Sequence, residues 1–319
     1  PLMNPSISII IPLYNKARDI IATLDSVWAQ TYTNFEVLVI DDGSTDHGVD
    51  LIQALDDPRL RIFQQENQGV GPTRNFGVMQ ANGPYVAFLD ADDYWHPYHL
   101  EDLNQLIQTS SGGKWFGTAY EKDFGPDRIM AMDTPLRQRG QKWMGAVDDF
   151  FAMAKKDCPA WTSALCFDKS FFDNLGGFNP KITMGAGEDT ELWIRAALAS
   201  PLYFCNRISA RHRLQGSNRI SHIPTRNRKF IDLDQFEDVA RDLPHLKSYL
   251  DVNRYAIGLK YVLAGETSVA RTYFDAIDAN SLSGAQLFLR HCPAWILKIM
   301  LKIQQLLLRL GWRISAFER

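Results

Sequence analysis

The sequence lacks three features, each of which would have pointed to a class of protein. Its four cysteines lie far apart with no C-x-x-C pair, which excludes the usual zinc and redox spacings and favours a reduced, cytoplasmic setting. A formal net charge of -3 over 319 residues gives no bias toward nucleic acid as a partner. The N-terminal segment has no basic region and its apolar run is too short for a signal peptide, so we interpret it as a first strand.

The first half of the sequence instead alternates strand and helix patterns. Short apolar runs, rich in β-branched residues, predict strands at 7–11, 35–41 and 85–90, with a weaker one at 60–63. Apolar residues at helical spacing predict helices over 17–30, 48–55 and 72–81. Such a pattern indicates an α/β fold with a mostly parallel sheet, in which ligands bind beyond the carboxyl ends of the strands. The segment from 112 to 145 has no readable pattern.

Carboxylates cluster at the predicted carboxyl ends of two strands. Asp41 and Asp42 end one strand, and Asp90 and Asp92 follow another in the stretch VAFLDADDYW. These groups would repel one another unless a cation lay among them, and Mg²⁺ or Mn²⁺ takes one or two carboxylates together with substrate phosphates. A solvated acidic turn is the competing interpretation for the D-x-D alone, but two acidic strand ends favour a phosphate-bearing ligand.

Five motifs then carry a resemblance to a known family: IIIPLYNK, FEVLVIDDGSTD, ENQGVGPTRNFGV, YVAFLDADDYWHP and GEDTELWIR, in this order. Together they resemble glycosyltransferase family 2, the inverting group with the GT-A fold. The resemblance implies a Rossmann-like, mostly parallel sheet flanked by helices over 1–222, with 223–319 as a helical C-terminal region. It also implies transfer of a sugar from a UDP-sugar to a hydroxyl of a glycan or lipid-linked acceptor, in surface polysaccharide biosynthesis.

The same resemblance implies roles for residues on the nucleotide side. Pro12 and Tyr14 match the motif that lines the nucleotide pocket. Asp41 matches the carboxylate that hydrogen-bonds the base, and Asp42 belongs to the same motif. Arg74 matches a basic residue near the nucleotide.

For the chemistry, the resemblance implies a metal pair and a base. Asp92 is the expected direct ligand of Mn²⁺ or Mg²⁺, and Asp90 lies nearer the ribose. Asp189 matches the catalytic base of the E-D motif, with Glu188 as its neighbour, both in the first turn of a helix. Simple complementation of the helix dipole is the competing interpretation, and the glycine-rich segment before the helix favours the functional one.

Two further groups are candidates on the donor and acceptor sides. The segment ARHRLQGSNR also resembles the family, which makes His212 a third candidate metal ligand, or a group that binds pyrophosphate, together with Arg211, Arg213 and Ser217. A solvated basic loop is the alternative. Trp193 and Arg195 are candidates for contact with the acceptor, against helix packing and a surface ion pair.

Other classes of protein share some of these features. GVGPTR has Arg74 at the third glycine position of a dinucleotide fingerprint and does not follow the first strand, so we reject a dehydrogenase. A sugar-nucleotide pyrophosphorylase-like nucleotidyltransferase shares the sheet and the metal but lacks the E-D motif. A catalytically silent nucleotide-sugar-binding module is the other alternative.

Beyond residue 222 the sequence predicts amphipathic helices over 230–243 and, as a helix–Gly-Glu–helix hairpin, over 253–279. In the tail CPAWILKIMLKIQQLLLRLGW, Lys298, Lys302 and Arg309 interrupt the apolar run, which argues against a membrane span. These three and Gln305 form one stripe opposite a broad apolar face, a pattern typical of a helix in the membrane interface. We therefore expect a peripheral enzyme on the cytoplasmic face of the inner membrane. A core helix, or a homodimer through the C-terminal helices, is the alternative.

Overall fold

A computed structural model describes residues 6–125, 128–154, 156–216 and 223–309, with the backbone alone for residues 305, 306, 308 and 309. The described residues fall into two compact units, those within 1–150 and 159–222, and those within 151–158 and 223–319.

The elements of the first part of the chain alternate as the sequence predicts. The strands are β1 (Ile7–Leu13), β2 (Phe35–Asp41), β3 (Leu60–Gln64), β4 (Tyr85–Phe88), β5 (Tyr94–Trp95), β6 (Trp115–Asp123), β7 (Ile129–Ala131), β8 (Met144–Ala146), β9 (Leu165–Asp168) and β10 (Leu202–Arg213). The helices are α1 (Ile20–Trp28), α2 (Gly48–Gln53), α3 (Val70–Gln80), α4 (His99–Thr109), α5 (Phe150–Met153), α6 (Lys169–Asn174) and α7 (Glu188–Ala199).

The sheet has the order β3-β2-β1-β4-β9-β6-β10-β5. The pairs β3–β2, β2–β1 and β1–β4 are parallel, as predicted, because the crossover helices return the chain to the same edge. β9 is antiparallel to both of its neighbours, β4 and β6, and β6 and β10 are parallel to each other. β2 is buried along its whole length, which is why its sequence is continuously apolar up to Asp41.

Helix α3 lies close against the sheet because it carries a glycine at the contact. A Cβ at Gly77 would overlap the side chain of Ile10 on β1 and press on Ile40 on β2. The absence of a side chain therefore sets the distance of α3 from the sheet, and with it the height of Arg74 at the sheet edge.

Two predicted helices are shorter than expected, and one segment without a readable pattern contains strands. The helix predicted from residue 17 begins at Ile20. The segment from 112 to 145, which showed no pattern, contains β6 and β7 and begins β8. The helix predicted over 230–243 is reduced to α8 (Glu237–Ala240), after a short 3-10 turn at Asp234–Phe236.

The second unit is helical, and its helices after α8 are α9 (Pro244–Leu263), α10 (Thr267–Asp275), α11 (Gly284–Leu289) and α12 (Ala294–Arg309). α9 and α10 form the predicted helix–Gly-Glu–helix hairpin, with Gly265 at a positive φ of 86° in the connection. Its core includes Tyr255 and Leu259 from α9 and Leu297 from α12.

The exposed face of α12 combines apolar and basic side chains. Trp295, Ile299 and Ile303 are 64%, 50% and 50% exposed. At about 100° per residue, the exposed Lys298 and Lys302 lie directly beside this row. The lysines therefore border the exposed apolar residues instead of lying opposite them, because the rest of the predicted apolar face packs into the core of the second unit.

Candidate active site

Three loops and one helix end bring the predicted site residues together at the carboxyl edge of the parallel strands. β1 and β2 are in register, with Leu13 opposite Asp41, so the loops that follow them begin at the same level. β4 pairs with β1 on its other side and leads directly into Asp90. The edge that the sequence predicts as the ligand site therefore carries the acidic motifs.

Asp90 is held by a buried arginine. The Arg74 Nη2 donates to Asp90 Oδ1 at 2.5 Å, and the Arg74 side chain is 5% exposed. Burial alone would lower the pKa of Arg74, but the charge of Asp90, followed by those of Glu188 and Asp189, holds that pKa above its usual value. Arg74 therefore links the D-x-D motif to the E-D motif electrostatically.

Asp92 pairs with a lysine that the sequence analysis did not identify as a site residue. Lys16 Nζ lies 2.6 Å from Asp92 Oδ2, and both side chains are largely buried. Burial raises the pKa of Asp92, and the charges of Asp90 and Asp19 add to that effect while Lys16 opposes it. A Cβ at Gly216 would overlap the Asp92 carboxylate, so the chain after β10 closes over this group.

Asp93 takes part in the support of the motif. Its carboxylate accepts from the Ser163 hydroxyl at 2.7 Å and from the Arg213 backbone N–H at 3.0 Å. The Ser163 hydroxyl in turn accepts from the Asp90 N–H at 3.1 Å. Burial, with the nearby charges of Asp90 and Asp92, raises the pKa of Asp93 well above its usual range. These bonds orient the two carboxylates before it.

Glu188 and Asp189 open α7, as predicted. Gly187 precedes them with φ at 105°, a conformation that favours glycine, and turns the chain into the helix. Glu188 is 6% exposed, and its Oε2 has no hydrogen-bond partner among the described residues. Burial and the neighbouring Asp189 raise the pKa of Glu188 to about 7, with Arg74 opposing. Asp189 is partly exposed and accepts from the Thr190 N–H at 2.6 Å.

The predicted nucleotide residues separate into exposed and buried ones. Tyr14 is 42% exposed and Pro12 partly exposed, which leaves both accessible to a ligand. Asp41 is buried and accepts from the Ser44 N–H at 3.1 Å. Asp42 is also buried, and its carboxylate accepts from two consecutive N–H groups, of Gln68 and Gly69, at 2.9 Å each. Asp42 thus fixes the loop that leads into α3.

Two candidates for acceptor contact are engaged in packing. Trp193 is 1% exposed and stacks on Trp115 and Phe167, so its predicted contact with an acceptor is corrected to a core role. Arg195 pairs with Glu191 one turn earlier and donates to the backbone carbonyls of residues 175 and 177. Because its guanidinium donates to Glu191 and to these two carbonyls, Arg195 anchors the segment before α7.

The end of β10 carries the remaining candidates. Arg211 Nε donates to Glu121 at 2.7 Å. His212 stacks on Trp161, with ring centroids 4.9 Å apart, and Trp161 also packs against Tyr120. Ser217 lies outside the described residues.

The donor set fits a hard divalent cation that is shared with a phosphate ligand. Asp90 and Asp92 present carboxylate oxygens at one strand end, and an ammonium already neutralises Asp92. Within the described ranges, no three His, Cys, Asp or Glu side chains are grouped to hold a metal by themselves, and His212 does not join the two aspartates in such a group. One or two carboxylates completed by water and phosphate oxygens are the usual Mg²⁺ arrangement.

Solved structures with the same architecture define the class of the fold. The chain aligns with the crystal structure of Staphylococcus aureus TarS 1-349 in complex with UDP-GlcNAc at a TM-score of 0.57 and 20% identity, covering 83% of this chain and 74% of that one. A second structure of the same protein, in complex with UDP, aligns at 0.56 and 19% identity over 85% of this chain and 90% of that one. The fold is therefore of the GT-A type.

Sequence comparison gives the family. Residues 8–159 match the model of glycosyl transferase family 2. An uncharacterized glycosyltransferase of Nostoc sp. is 43% identical over 181 residues, 54% of each chain, and one of Rickettsia bellii is 42% identical over 225 residues, 68% of this chain and 30% of that one. Residues 8–159 therefore belong to glycosyltransferase family 2. The chain spans about half the length of the Nostoc relative and a smaller share of the Rickettsia one.

Proposed function

We propose that the protein is an inverting glycosyltransferase that moves a sugar from a UDP-sugar to a hydroxyl of a glycan or lipid-linked acceptor. The observation that carries this proposal is the position of Arg74. Its buried guanidinium forms an ion pair with Asp90, and the charges of Glu188 and Asp189 lie near enough to raise its pKa. A group that binds the donor and a group that can take a proton therefore occupy one site, as a transfer reaction requires.

On the donor side, the base and ribose would lie over the ends of β1 and β2. Tyr14 is exposed there, and Asp41 and Asp42 hold the surrounding loops in place. UDP as the nucleotide is supported by the TarS structures, one in complex with UDP and one with UDP-GlcNAc.

Asp92, with Asp90 beside it, would hold Mn²⁺ or Mg²⁺ together with the diphosphate. Such an ion neutralises the negative charge that develops on a departing diphosphate. Arg74 orients Asp90 through their ion pair, and Ser163 and Arg213 fix the turn through Asp93.

On the acceptor side, Asp189 would accept the proton of the attacking hydroxyl. As the acceptor oxygen forms its bond to the anomeric carbon, the bond from that carbon to the diphosphate oxygen breaks, and UDP leaves with the electron pair. A single displacement of this kind inverts the anomeric centre. The partial exposure of Asp189, beside a buried Glu188, leaves it accessible to an acceptor.

The test is a panel of nucleotide sugars, scored by release of UDP or GDP with soluble and lipid-linked acceptors. We expect UDP release that depends on acceptor and divalent cation, and D92N should abolish turnover and weaken donor binding. Full activity in excess chelator would contradict the metal assignment. Formation of pyrophosphate with a nucleotide sugar would identify a nucleotidyltransferase, and binding without turnover would identify a silent binding module.

The setting that we propose is the cytoplasmic face of the inner membrane, where lipid-linked acceptors for surface polysaccharide would be found. The support is the face of α12 that exposes Trp295, Ile299 and Ile303 beside Lys298 and Lys302. Apolar side chains next to ammonium groups suit the interface of an anionic bilayer. Among the described helices, none has the length and apolar character that a crossing of the bilayer needs. Contact between two copies through the C-terminal helices is the competing arrangement.

A further inference from the structure

Lys16 forms an ion pair with Asp92, the carboxylate that we propose as the metal ligand. Its Nζ lies 2.6 Å from Asp92 Oδ2, with 13% and 14% of the two side chains exposed. Removal of both charges from water is costly, and a buried pair is therefore weak evidence for a stabilising role. The position of this pair at a ligand site suggests a different role for the lysine.

The backbone on both sides of Lys16 is fixed. The Asn15 N–H donates to the Ser44 hydroxyl at 3.0 Å, and the Ala17 N–H donates to Asp46 Oδ2 at 2.9 Å. The Lys16 carbonyl accepts from the N–H groups of Asp19 and Ile20 at the start of α1. The loop therefore keeps its place, while a four-carbon side chain with a single terminal charge can change its direction.

The neighbouring charges show why such a change would be needed. Asp92 is surrounded by the carboxylates of Asp90 and Asp19, which have cationic partners of their own in Arg74 and Arg213. A divalent cation on Asp92 would lie close to the Lys16 ammonium and repel it. The diphosphate brought by the nucleotide would be the nearest new negative charge.

We propose that Lys16 is a mobile counter-ion that neutralises Asp92 in the free protein and transfers to the diphosphate when a metal ion and nucleotide bind. This inference rests on the proposed function, because it assumes a nucleoside diphosphate at the D-x-D edge. No bond is made or broken in the step, and the lysine keeps its proton throughout.

The proposal predicts opposite changes in two binding constants of K16M. Mn²⁺ titrated into the full chain without nucleotide should bind about tenfold more tightly, because no ammonium competes for Asp92. UDP titrated at saturating Mn²⁺ should bind about tenfold more weakly, because a charge-assisted contact to the diphosphate is lost. Both constants are measured by calorimetry and need no acceptor.

Two further variants make the test decisive. K16Q keeps most of the side-chain stem and is measured in the same way, so that a folding defect of K16M does not end the test. K114M removes the partly exposed Lys114, whose Nζ lies 3.7 Å from Asp168 Oδ2, and should change neither constant.

If K16M and K16Q lower both affinities together, or change neither, Lys16 is a structural partner of Asp92 and the proposal is wrong while the proposed function stands. If the unmodified protein binds no UDP even with Mn²⁺, the proposed function fails, and this inference fails with it.

Discussion

Two clusters of buried charge, one at the sheet edge and one in the helical unit, differ in how completely their groups are hydrogen-bonded. At the sheet edge, Arg74 and Glu188 are buried near Asp90. In the helical unit, Arg254 and Asp251 of α9 are 2% and 0% exposed. Each cluster holds an arginine among carboxylates. The two can therefore be compared by how many of their buried polar groups have hydrogen-bond partners.

The α9 cluster is extensively hydrogen-bonded. One oxygen of Asp251 accepts from Lys247 at 2.7 Å and from Arg254 at 3.1 Å. The other accepts from the Ser281 hydroxyl at 2.7 Å and from the Asp278 N–H at 3.2 Å. Arg254 also pairs with Asp234 and Glu237. No atom of these two buried residues, within the described structure, appears among the buried groups that lack a partner.

The sheet-edge cluster leaves groups open. Arg74 Nε and Glu188 Oε2 are buried without a hydrogen-bond partner among the described residues. A buried polar group without a partner costs free energy, and a native structure retains one where it has a use. We infer that the saturated cluster supports the fold and that the incomplete one is built for a ligand. The predictions that follow test this difference.

The largest effect is expected at the proposed base. D189N should lower kcat by about 10²–10⁴-fold, the usual contribution of general-base catalysis, while UDP affinity changes little because the base acts on the acceptor. Steady-state kinetics and UDP titration measure the two quantities. D173N, the same change on an exposed carboxylate of α6, is the control. A D189N variant with near wild-type kcat would make Asp189 a helix-capping residue.

Removal of the arginine from the saturated cluster should cost mainly stability. R254M removes one of the two cationic partners of the buried Asp251, which keeps Lys247. We expect the free energy of unfolding to fall by about 3 kcal/mol, the lower end of the range for a broken buried pair. R241M, which removes an exposed arginine paired with Asp238, should cost less than about 1 kcal/mol.

R74M is the matching change in the sheet-edge cluster. It should lower UDP affinity, and it should lower the free energy of unfolding by less than R254M does. Urea unfolding and UDP titration separate the two quantities. Equal losses of stability in R74M and R254M, with unchanged UDP affinity, would remove the distinction between the two clusters.

The third prediction concerns pH. The pKa of Glu188 in the fold is raised from 4.5 to about 7, so the folded state binds its proton more tightly than the unfolded state. This contribution to stability is complete below the ordinary pKa and is lost as pH rises through the raised one. The glutamine in E188Q does not titrate. Between pH 4 and pH 8, the free energy of unfolding of E188Q should therefore rise by up to about 3 kcal/mol relative to that of the wild type.

The groups that face Glu188 are Arg74 and Asp189, and both are unchanged in E188Q. Chemical denaturation of both proteins across this pH range gives the difference directly. E101Q, the same substitution at an exposed position on α4, should leave the pH dependence as it is. Parallel curves for E188Q and the wild type would show that Glu188 ionises normally.

The smallest effect concerns the membrane. The triple variant W295S/I299S/I303S should weaken binding to anionic vesicles by at least about tenfold, because the apolar residues that would enter the interface are lost. Co-sedimentation measures it, with V269S on α10 as the control for an exposed apolar residue elsewhere in the unit. If the intact protein never sediments with vesicles, and the triple variant instead converts a dimer to a monomer, α12 is a protein contact.

The local parts of the fold and site follow from the sequence, and the distant contacts do not. β1, β2 and β4 are continuous apolar runs, and the E-D pair starts a periodic helix, so both were predictable. Arg74 and Asp92 were identified as site residues through the resemblance. β9 was missed because its antiparallel insertion depends on partners far along the chain.

The partners of individual site residues were the least predictable. Lys16 approaches Asp92 across 76 positions, and no periodicity records such a pair. Its place at the end of the first motif, in IIIPLYNK, was the only signal available. For Trp193 the sequence left contact with the acceptor and helix packing both open, and the structure places it on the buried face of α7 with Leu192 and Ala196.

The support of Asp93 has a consequence for how the chain acquires its structure. Asp93 accepts hydrogen bonds from the Ser163 hydroxyl and the Arg213 backbone N–H, which lie 70 and 120 positions further along the chain. Closing long loops slows folding, and the pairs β1–β2 and β2–β3 join residues that are only 28 and 23 positions apart. We therefore expect these two pairs to form before the contacts of Asp93. During synthesis, the acidic turn emerges well before the segments that hold it. Strands β1 to β3 can thus assemble first, and the arrangement of carboxylates that we propose for catalysis is completed only when the later segments have folded.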